Sequence, residues 1–123
     1  MQHKENTFEG ANGATIYHQC WLPEGQPRAV ILISHGAAEH SGRYERVAGH
    51  FTGLGYAVAA LDHYGHGRSD GGRCCLKSLD DVVRDLRQFC DHIEVSLPGI
   101  PQILLGHSMG GLIACLLLLQ QQD

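Results

Sequence analysis

The chain has 123 residues, enough for one domain with its own hydrophobic core, and two domains are not expected at this length. Its 43% hydrophobic and 18% charged residues are typical of a folded globular protein and exclude a disordered or fibrous chain. The formal net charge is −4 and the 9 Lys and Arg residues are scattered, so we predict no nucleic-acid partner.

Neither end of the chain carries a membrane or export signal that we can identify. Residues 1–10 contain no apolar stretch of the length that a signal peptide needs, so the default expectation is a cytoplasmic protein. The most apolar segment, 112–119, is far shorter than the roughly 20 residues that span a bilayer. We therefore predict no transmembrane segment and interpret 112–119 as a buried helix.

Cysteines and histidines are frequent but follow no ligand pattern. The five cysteines lack CxxC or disulfide spacing and are expected to be reduced thiols: Cys20, Cys74, Cys75, Cys90 and Cys115. The histidine pairs that suggest a metal, His35 with His40 and His63 with His66, lack HExxH spacing. We predict neither a metal nor an organic cofactor.

Strand and helix patterns alternate along the chain. A cluster of glycine and asparagine residues is predicted to form the turn between the two strands of an N-terminal hairpin. Three apolar runs that follow are predicted to be buried strands. These segments are 7–9 and 15–21 for the hairpin, and 29–33, 57–61 and 102–105 for the buried strands. A glycine-rich loop, 62–72, follows the second buried strand.

Three helices are predicted between and after these strands. The first begins after Ser41, a good N-cap, and ends at Gly55. The second begins where Ser78 and Asp81 resemble a capping box, and the third follows Ser108. Buried strands that alternate with helices predict parallel strands joined by crossovers, so we expect an α/β sheet with helices on both faces.

The pentapeptide GHSMG at 106–110 fits the pattern G-x-S-x-G, between a predicted strand and a predicted helix. A turn this sharp strains the backbone at Ser108, and Gly106 and Gly110 leave room for the strand and helix to approach. The serine hydroxyl would project at a helix N-terminus, where backbone N–H groups such as that of Met109 can receive an oxyanion. An ordinary turn with a capping serine is the alternative, but this context favours a catalytic nucleophile.

A second motif, HGAA at 35–38, directly follows the first buried strand. Where a serine elbow is present, this position provides the other oxyanion donor, here the Ala37 N–H. Three segments now resemble the monoacylglycerol lipase and lysophospholipase branch of the α/β-hydrolase superfamily, in order and spacing. They are SHGAAEHSGRYERVA at 34–48, LDHYGHGRSDG at 61–71 and LLGHSMGG at 104–111. The resemblance extends over about 8–121 and covers the N-terminal half of that family's domain.

The resemblance implies Ser108 as nucleophile, with the backbone amides of Ala37 and Met109 as the oxyanion hole. It implies a lipid ester substrate, either a monoacylglycerol or a lysophospholipid, and a lid later in the family's chain that could contact membranes peripherally. Residues 1–123 are then expected to be the N-terminal part of a single α/β-hydrolase domain with a mostly parallel sheet. This part would stop after the elbow helix, without the C-terminal strands, the lid, or the acid and histidine of the triad.

The position of the triad partners leaves alternatives open. In this fold the acid and histidine follow the serine, but only Asp123 does so here. A substitute base among Asp62, His63 and His66 is open, although the surrounding glycines favour a structural turn in which Asp62 accepts backbone N–H groups. We interpret His107 as a packing or pocket-lining residue.

Two functions follow from these observations. The first is a serine ester hydrolase whose 123-residue chain is inactive alone, and an acyltransferase or a peptidase with the same elbow also fits. The second is a non-catalytic α/β fragment that binds a partner chain or is a remnant. An open sheet edge and an uncovered apolar helix would favour a partner chain or aggregation.

Overall fold

The computed structural model describes residues 1–73 and 78–120 of the chain. Its described residues form one five-stranded sheet with helices packed against it. The strands are β1 (Gln2–Glu9), β2 (Thr15–Leu22), β3 (Val30–Ser34), β4 (Ala57–Leu61) and β5 (Gln102–Gly106). The helices are α1 (Glu45–Thr52), α2 (Leu79–Ser96) and α3 (Met109–Gln120), with 3₁₀ turns at Ala11–Gly13 and Ser41–Tyr44.

The strand order is β1-β2-β4-β3-β5. β3 pairs in parallel with both β4 and β5, and the β1–β2 hairpin extends the sheet in antiparallel register beyond β4. The predicted α/β sheet with an N-terminal hairpin is thereby confirmed. Because β3 lies between β4 and β5, the loops that follow β3 and β5 leave the same end of adjacent parallel strands.

The central strands are buried on both sides. Every residue of β3 and β4 is buried, which explains their continuous apolar sequences. Leu32 and Ala59 belong to the core under α2 and α3, whereas Ile33 and Ala60 belong to the core under α1. Helices therefore cover both faces of the sheet, as predicted.

The structure differs from two predictions, the start of the first strand and the cap of the first helix. β1 begins at Gln2 rather than near residue 7, because its polar residues pair along the whole length of β2. Ser41 starts a 3₁₀ turn and does not cap a helix. The capping acceptor is the His40 Nδ1, which receives the Gly42 N–H at 3.2 Å, while the Ser41 hydroxyl accepts the Gln19 amide at 2.6 Å.

The predicted capping box at α2 is also wrong. Ser78 precedes the helix, but its side chain makes no capping hydrogen bond within the described part of the chain. Asp81 instead accepts the Asn12 side-chain amide at 2.9 Å, which ties the helix to the hairpin turn. Cys74 and Cys75 lie outside the described residues, and the described cysteines, Cys20, Cys90 and Cys115, are free thiols.

The third helix is buried on one face only. Ile113, Ala114 and Leu117 pack into the core, whereas Leu112 and Leu118 are more than half exposed. The prediction of a buried helix at 112–119 therefore holds for one face only, and the expected uncovered apolar surface lies on the other face. Across the described ranges, no helix combines the length and the apolar character needed to cross a membrane.

Candidate active site

Ser108 lies at the junction of β5 and α3 with a left-handed backbone. Its φ is +56°, a conformation that costs a residue with a Cβ roughly 1–3 kcal/mol. The turn is fixed around it, since the His107 N–H donates to the Ser34 carbonyl at 3.1 Å and the Gly111 N–H donates to the Ser108 carbonyl at 2.9 Å. The residue is exposed. Strain at an exposed serine is typical of a functional turn.

The glycines on either side of Ser108 are required by close packing. A Cβ on Gly106 would lie 2.5 Å from the Gly111 Cα, and a Cβ on Gly110 would overlap the carbonyl oxygen of Ser34. The start of α3 therefore lies directly against the ends of β3 and β5. Only residues without a side chain permit this approach at positions 106 and 110.

The loop after β3 forms a tight turn next to this junction. The Glu39 N–H donates to the Gly36 carbonyl at 3.3 Å, and Ala38, the third residue of the turn, has a φ of +60°. A Cβ on Gly36 would lie 3.2 Å from the His107 carbonyl oxygen, so this turn lies against the strand-to-helix junction. The structure thus brings the two predicted oxyanion segments together.

The two predicted oxyanion donors are available. Neither the Ala37 nor the Met109 N–H donates a hydrogen bond to any group in residues 1–73 or 78–120. By contrast, the next amide in the helix, that of Gly110, donates a hydrogen bond to the His107 carbonyl at 2.9 Å. Unpaired N–H groups at a helix N-terminus and in a tight turn are suited to receive an anion.

Sequence reasoning missed a side-chain contact that joins the two segments. His107 Nδ1 lies 2.8 Å from a Glu39 carboxylate oxygen, and the Tyr44 hydroxyl donates to the other oxygen at 2.7 Å. Partial burial raises the pKa of Glu39, but the Tyr44 hydroxyl and His107 outweigh it and hold the pKa below the ordinary value. The packing interpretation of His107 is wrong, since its side chain is 63% exposed and bonded to Glu39. No sequence pattern pairs these two residues.

Buried histidines lie behind the turn. His35 and His63 are fully buried, with ring centroids 4.4 Å apart, and His66 lies 5.1 Å from His35. The Ser34 hydroxyl donates to the Gly110 carbonyl at 3.0 Å and meets His63 Nε2, also at 3.0 Å. These contacts connect the loop after β4 to the first turn of α3.

Asp62 accepts backbone N–H groups, which is the structural role predicted for it from the glycines of its loop. One carboxylate oxygen accepts the Ser41 N–H at 2.6 Å and the other accepts the Arg68 N–H at 2.9 Å. Gly67 has a φ of +51°, and a Cβ there would overlap the Asp62 carboxylate. Since His63 Nε2 is engaged with Ser34 and burial holds its pKa well below the ordinary value, the structure gives no support to His63 as a substitute base.

Metal ligands do not converge in the described structure. Among residues 1–73 and 78–120, no group of three histidine, cysteine or acidic side chains is placed to hold a metal ion. The histidine cluster is instead connected to backbone groups and to Ser34.

The fold is that of the α/β hydrolases. The chain belongs to the serine aminopeptidase family S33, whose model matches residues 25–123. It is 48% identical over 106 residues to the monoglyceride lipase of Homo sapiens, a match that covers 86% of this chain and 35% of the lipase. It is 46% identical over 107 residues to the monoacylglycerol lipase of Mycolicibacterium smegmatis, covering 87% and 38%.

Solved structures show the same relationship. A highly thermostable carboxyl esterase from Bacillus coagulans, in complex with glycerol, superimposes with a TM-score of 0.86 and 30% sequence identity. The match covers 95% of this chain and 40% of the esterase. The chain thus spans a little over a third of the length of the curated relatives it matches.

Proposed function

We propose that Ser108 is the nucleophile of a serine ester hydrolase that cleaves monoacylglycerol-like or lysophospholipid-like esters. The observations that carry the proposal are the exposed serine with a φ of +56° at the β5–α3 junction and the amides of Ala37 and Met109, which make no hydrogen bond within the described residues. Support for the substrate class comes from the relatives, which include monoglyceride lipases and a carboxyl esterase. The expected location is the cytoplasm.

The proposed reaction proceeds through an acyl-enzyme. The Ser108 oxygen attacks the ester carbonyl carbon while its proton passes to a histidine base, and the carbonyl oxygen becomes an oxyanion bound by the Ala37 and Met109 amides. The tetrahedral intermediate collapses, the alcohol leaves with the proton, and water then hydrolyses the acyl-serine. The base and its orienting acid are proposed to come from outside these 123 residues, as is a lid that contacts lipid.

The geometry supports a large contribution from the oxyanion site. One such hydrogen bond contributes roughly 2.7–4 kcal/mol to barrier lowering. Both proposed donors are backbone groups in hydrogen-bonded segments, a turn closed by the Glu39 N–H and the start of α3, so little reorganisation is needed when charge develops on the substrate. Without the base, the oxyanion site leaves only about 10³–10⁴-fold acceleration over water, so we expect residues 1–123 alone to be nearly inactive.

A fluorophosphonate probe tests the nucleophile. We expect Ser108-dependent labelling in a protein that also contains the base and acid, weak or no labelling of residues 1–123 alone, and no labelling of Ser108→Ala. Ser96→Ala is the matched control, because Ser96 is an exposed serine on α2 whose hydroxyl bonds the His92 carbonyl. Equal labelling of the wild type and Ser108→Ala would disprove the assignment.

The substrate class is tested by hydrolysis rates on three compounds. We expect a long-chain monoacylglycerol or a lysophosphatidylcholine to be cleaved with a kcat/KM at least tenfold above that of an aminoacyl p-nitroanilide. The last compound is included because the matched family is described as a serine aminopeptidase. Faster cleavage of the anilide would move the proposal from esters to peptides.

A non-catalytic role is the second candidate, and the exposed apolar side chains of β5 and α3 favour it. Ile103 and Leu105 on β5 are 49% and 42% exposed, next to a strand edge that has no partner within the described residues. A stable complex with a partner chain, together with unlabelled Ser108 in every form of the protein, would support this candidate over the hydrolase.

A further inference from the structure

His35 makes two hydrogen bonds deep behind the proposed oxyanion site. Its Nδ1 lies 2.7 Å from the Gly36 carbonyl oxygen, and its Nε2 accepts the backbone N–H of His63 at 3.0 Å. The side chain is fully buried at the end of β3. Both ring nitrogens are therefore engaged, and the proposed reaction gives this histidine no proton-transfer role.

The His63 amide determines where the proton of His35 resides. A backbone N–H can only donate, so Nε2 must present its lone pair, and the single proton of the neutral ring is on Nδ1. Burial lowers the pKa of His35 below its ordinary value, which keeps the ring neutral near pH 7. Nδ1–H is therefore a donor, and its acceptor is the Gly36 carbonyl.

The Gly36 carbonyl shares a peptide group with the Ala37 N–H. A trans peptide is planar, so its C=O and N–H point in opposite directions, and holding one fixes the other. The Gly36 oxygen is held from two sides, by His35 Nδ1 and by the Glu39 N–H at 3.3 Å. The loop is otherwise exposed at Ala37 and Ala38. The anchored carbonyl therefore sets the direction of the free amide.

We propose that His35 is a positioning residue that orients the Ala37 N–H toward the reacting carbonyl by holding the Gly36–Ala37 peptide, with its tautomer selected by the His63 main chain. This inference rests on the proposed function, since it assigns a purpose to the Ala37 amide. The groups that face the ring are the imidazoles of His63 and His66 and the carboxylates of Asp62 and Glu39.

Two substitutions separate the donor role of His35 from its acceptor role. In His35→Asn the side-chain amide nitrogen takes the place of Nδ1 and can still donate to Gly36. In His35→Gln the longer side chain places its oxygen near Nε2, where it accepts the His63 N–H but leaves the Gly36 carbonyl without its donor. Each variant loses one buried hydrogen bond, so the midpoints of their urea unfolding should shift by similar amounts.

Kinetics of Ser108-dependent ester hydrolysis, measured in a protein that also contains the base and acid, distinguish these variants. We expect His35→Gln to lower kcat about 10- to 100-fold with KM nearly unchanged, because an oxyanion donor acts mainly in the transition state. His35→Asn should retain kcat within about threefold of the wild type. His50→Gln is the control, because His50 is an exposed histidine on α1, and this variant should change neither kcat nor KM. Equal kcat values for the Asn and Gln variants, or an effect confined to KM, would overturn the inference.

NMR spectroscopy tests the same inference without any activity. Long-range ¹H–¹⁵N correlations of the imidazole should show His35 as the neutral Nδ1–H tautomer. The Ala37 amide resonance should shift in His35→Gln and remain near its wild-type position in His35→Asn. An Nε2–H tautomer, or an unmoved Ala37 amide in His35→Gln, would contradict the assignment. If Ser108-dependent hydrolysis fails altogether, the proposed function fails, while these spectra still decide whether His35 orients the amide.

Discussion

Ala38 carries backbone strain that a glycine would remove. Its φ of +60° lies in the left-handed region, which costs an L-residue roughly 1–2 kcal/mol. We expect Ala38→Gly to raise the free energy of unfolding by about 1 kcal/mol, measured by urea titration. Ala37, its neighbour in the same exposed turn, has no positive φ, so Ala37→Gly should not stabilise. Equal stabilisation by both changes would show that strain at Ala38 is not the cause.

Adjacent glycines at the start of α3 should respond oppositely to alanine. A Cβ on Gly110 overlaps the Ser34 carbonyl, whereas a Cβ on Gly111 comes no closer than 3.6 Å to the Gly106 carbonyl. We expect Gly110→Ala to lower the unfolding free energy by about 2–4 kcal/mol. In a protein that also contains the base and acid, it should abolish Ser108 labelling by displacing the turn. Gly111→Ala should stabilise the helix by roughly 0.5–1 kcal/mol.

Thermal unfolding and probe labelling of the two glycine variants decide this prediction together. Loss of labelling in Gly110→Ala at a temperature where the variant is still folded would connect the close approach of α3 to the site itself. Destabilisation by Gly111→Ala as large as that by Gly110→Ala would contradict the packing described here.

At the scale of elements, Asp85 fastens α2 to the turn of the β1–β2 hairpin. The carboxylate is buried and accepts the Ala11 N–H at 2.7 Å, and a Cβ on Gly10 would lie 2.5 Å from the same oxygen. Burial raises the pKa of Asp85 to about 6, with Asp81 nearby adding to the effect. The hairpin and helix are thus joined by a carboxyl group whose ionised form is disfavoured by burial.

The raised pKa of Asp85 predicts a pH-dependent stability. A carboxyl group with a higher pKa in the folded state stabilises the fold at low pH, and this contribution is lost as pH rises from about 4 to about 6. Asp85→Asn keeps an oxygen for the Ala11 N–H but cannot ionise. We expect it to be more stable than the wild type by about 3 kcal/mol at pH 7, with the difference vanishing below pH 4.

Urea unfolding between pH 3 and pH 8 measures that difference. Asp91→Asn, on the exposed side of the same helix, is the control and should leave the shape of the pH dependence unchanged. A constant difference between wild type and Asp85→Asn over this range would show that Asp85 does not ionise with a raised pKa.

Regular elements and the serine turn were predictable because their signals are local. Apolar runs marked β3 and β4, and GHSMG identified the turn from five consecutive residues. The capping predictions at Ser41 and Ser78 failed because Gln19 and Asn12, which are distant in sequence, determine the side-chain partners there. Contacts of this kind depend on the packed sheet, and no periodicity encodes them.

The same reasoning explains which parts of the site escaped the sequence. The pairs Glu39–His107 and His35–His63 each join loops from different strands, so only the parallel order β4-β3-β5 brings them into contact. Asp62 was predictable because one of its partners, Arg68, belongs to the same loop. Sequence therefore identified the proposed nucleophile and amides, and the fold was needed to show what holds them.

At the scale of the whole molecule, β5 forms an open edge with apolar side chains around it. Ile103 and Leu105 of β5 pair with two residues of β3, Ile31 and Ile33, whose side chains enter the core under α1. Unlike these β3 residues, Ile103 and Leu105 are nearly half exposed. Within the described residues β5 has a neighbour only on the β3 side, so its other backbone groups are unpaired. Unpaired strand edges with apolar neighbours favour association between chains.

This edge predicts concentration-dependent self-association of residues 1–123. Burial of one leucine side chain contributes about 1.5–3 kcal/mol, and a lysine on an edge strand opposes strand pairing. We expect sedimentation velocity to show oligomers that increase with concentration for the wild type and a predominantly monomeric Leu105→Lys variant. Val95→Lys is the control, because Val95 is 82% exposed near the end of α2 and is not part of the β5 strand. A monomeric wild type at all concentrations, or equal effects of the two lysines, would show that the β5 edge does not drive association.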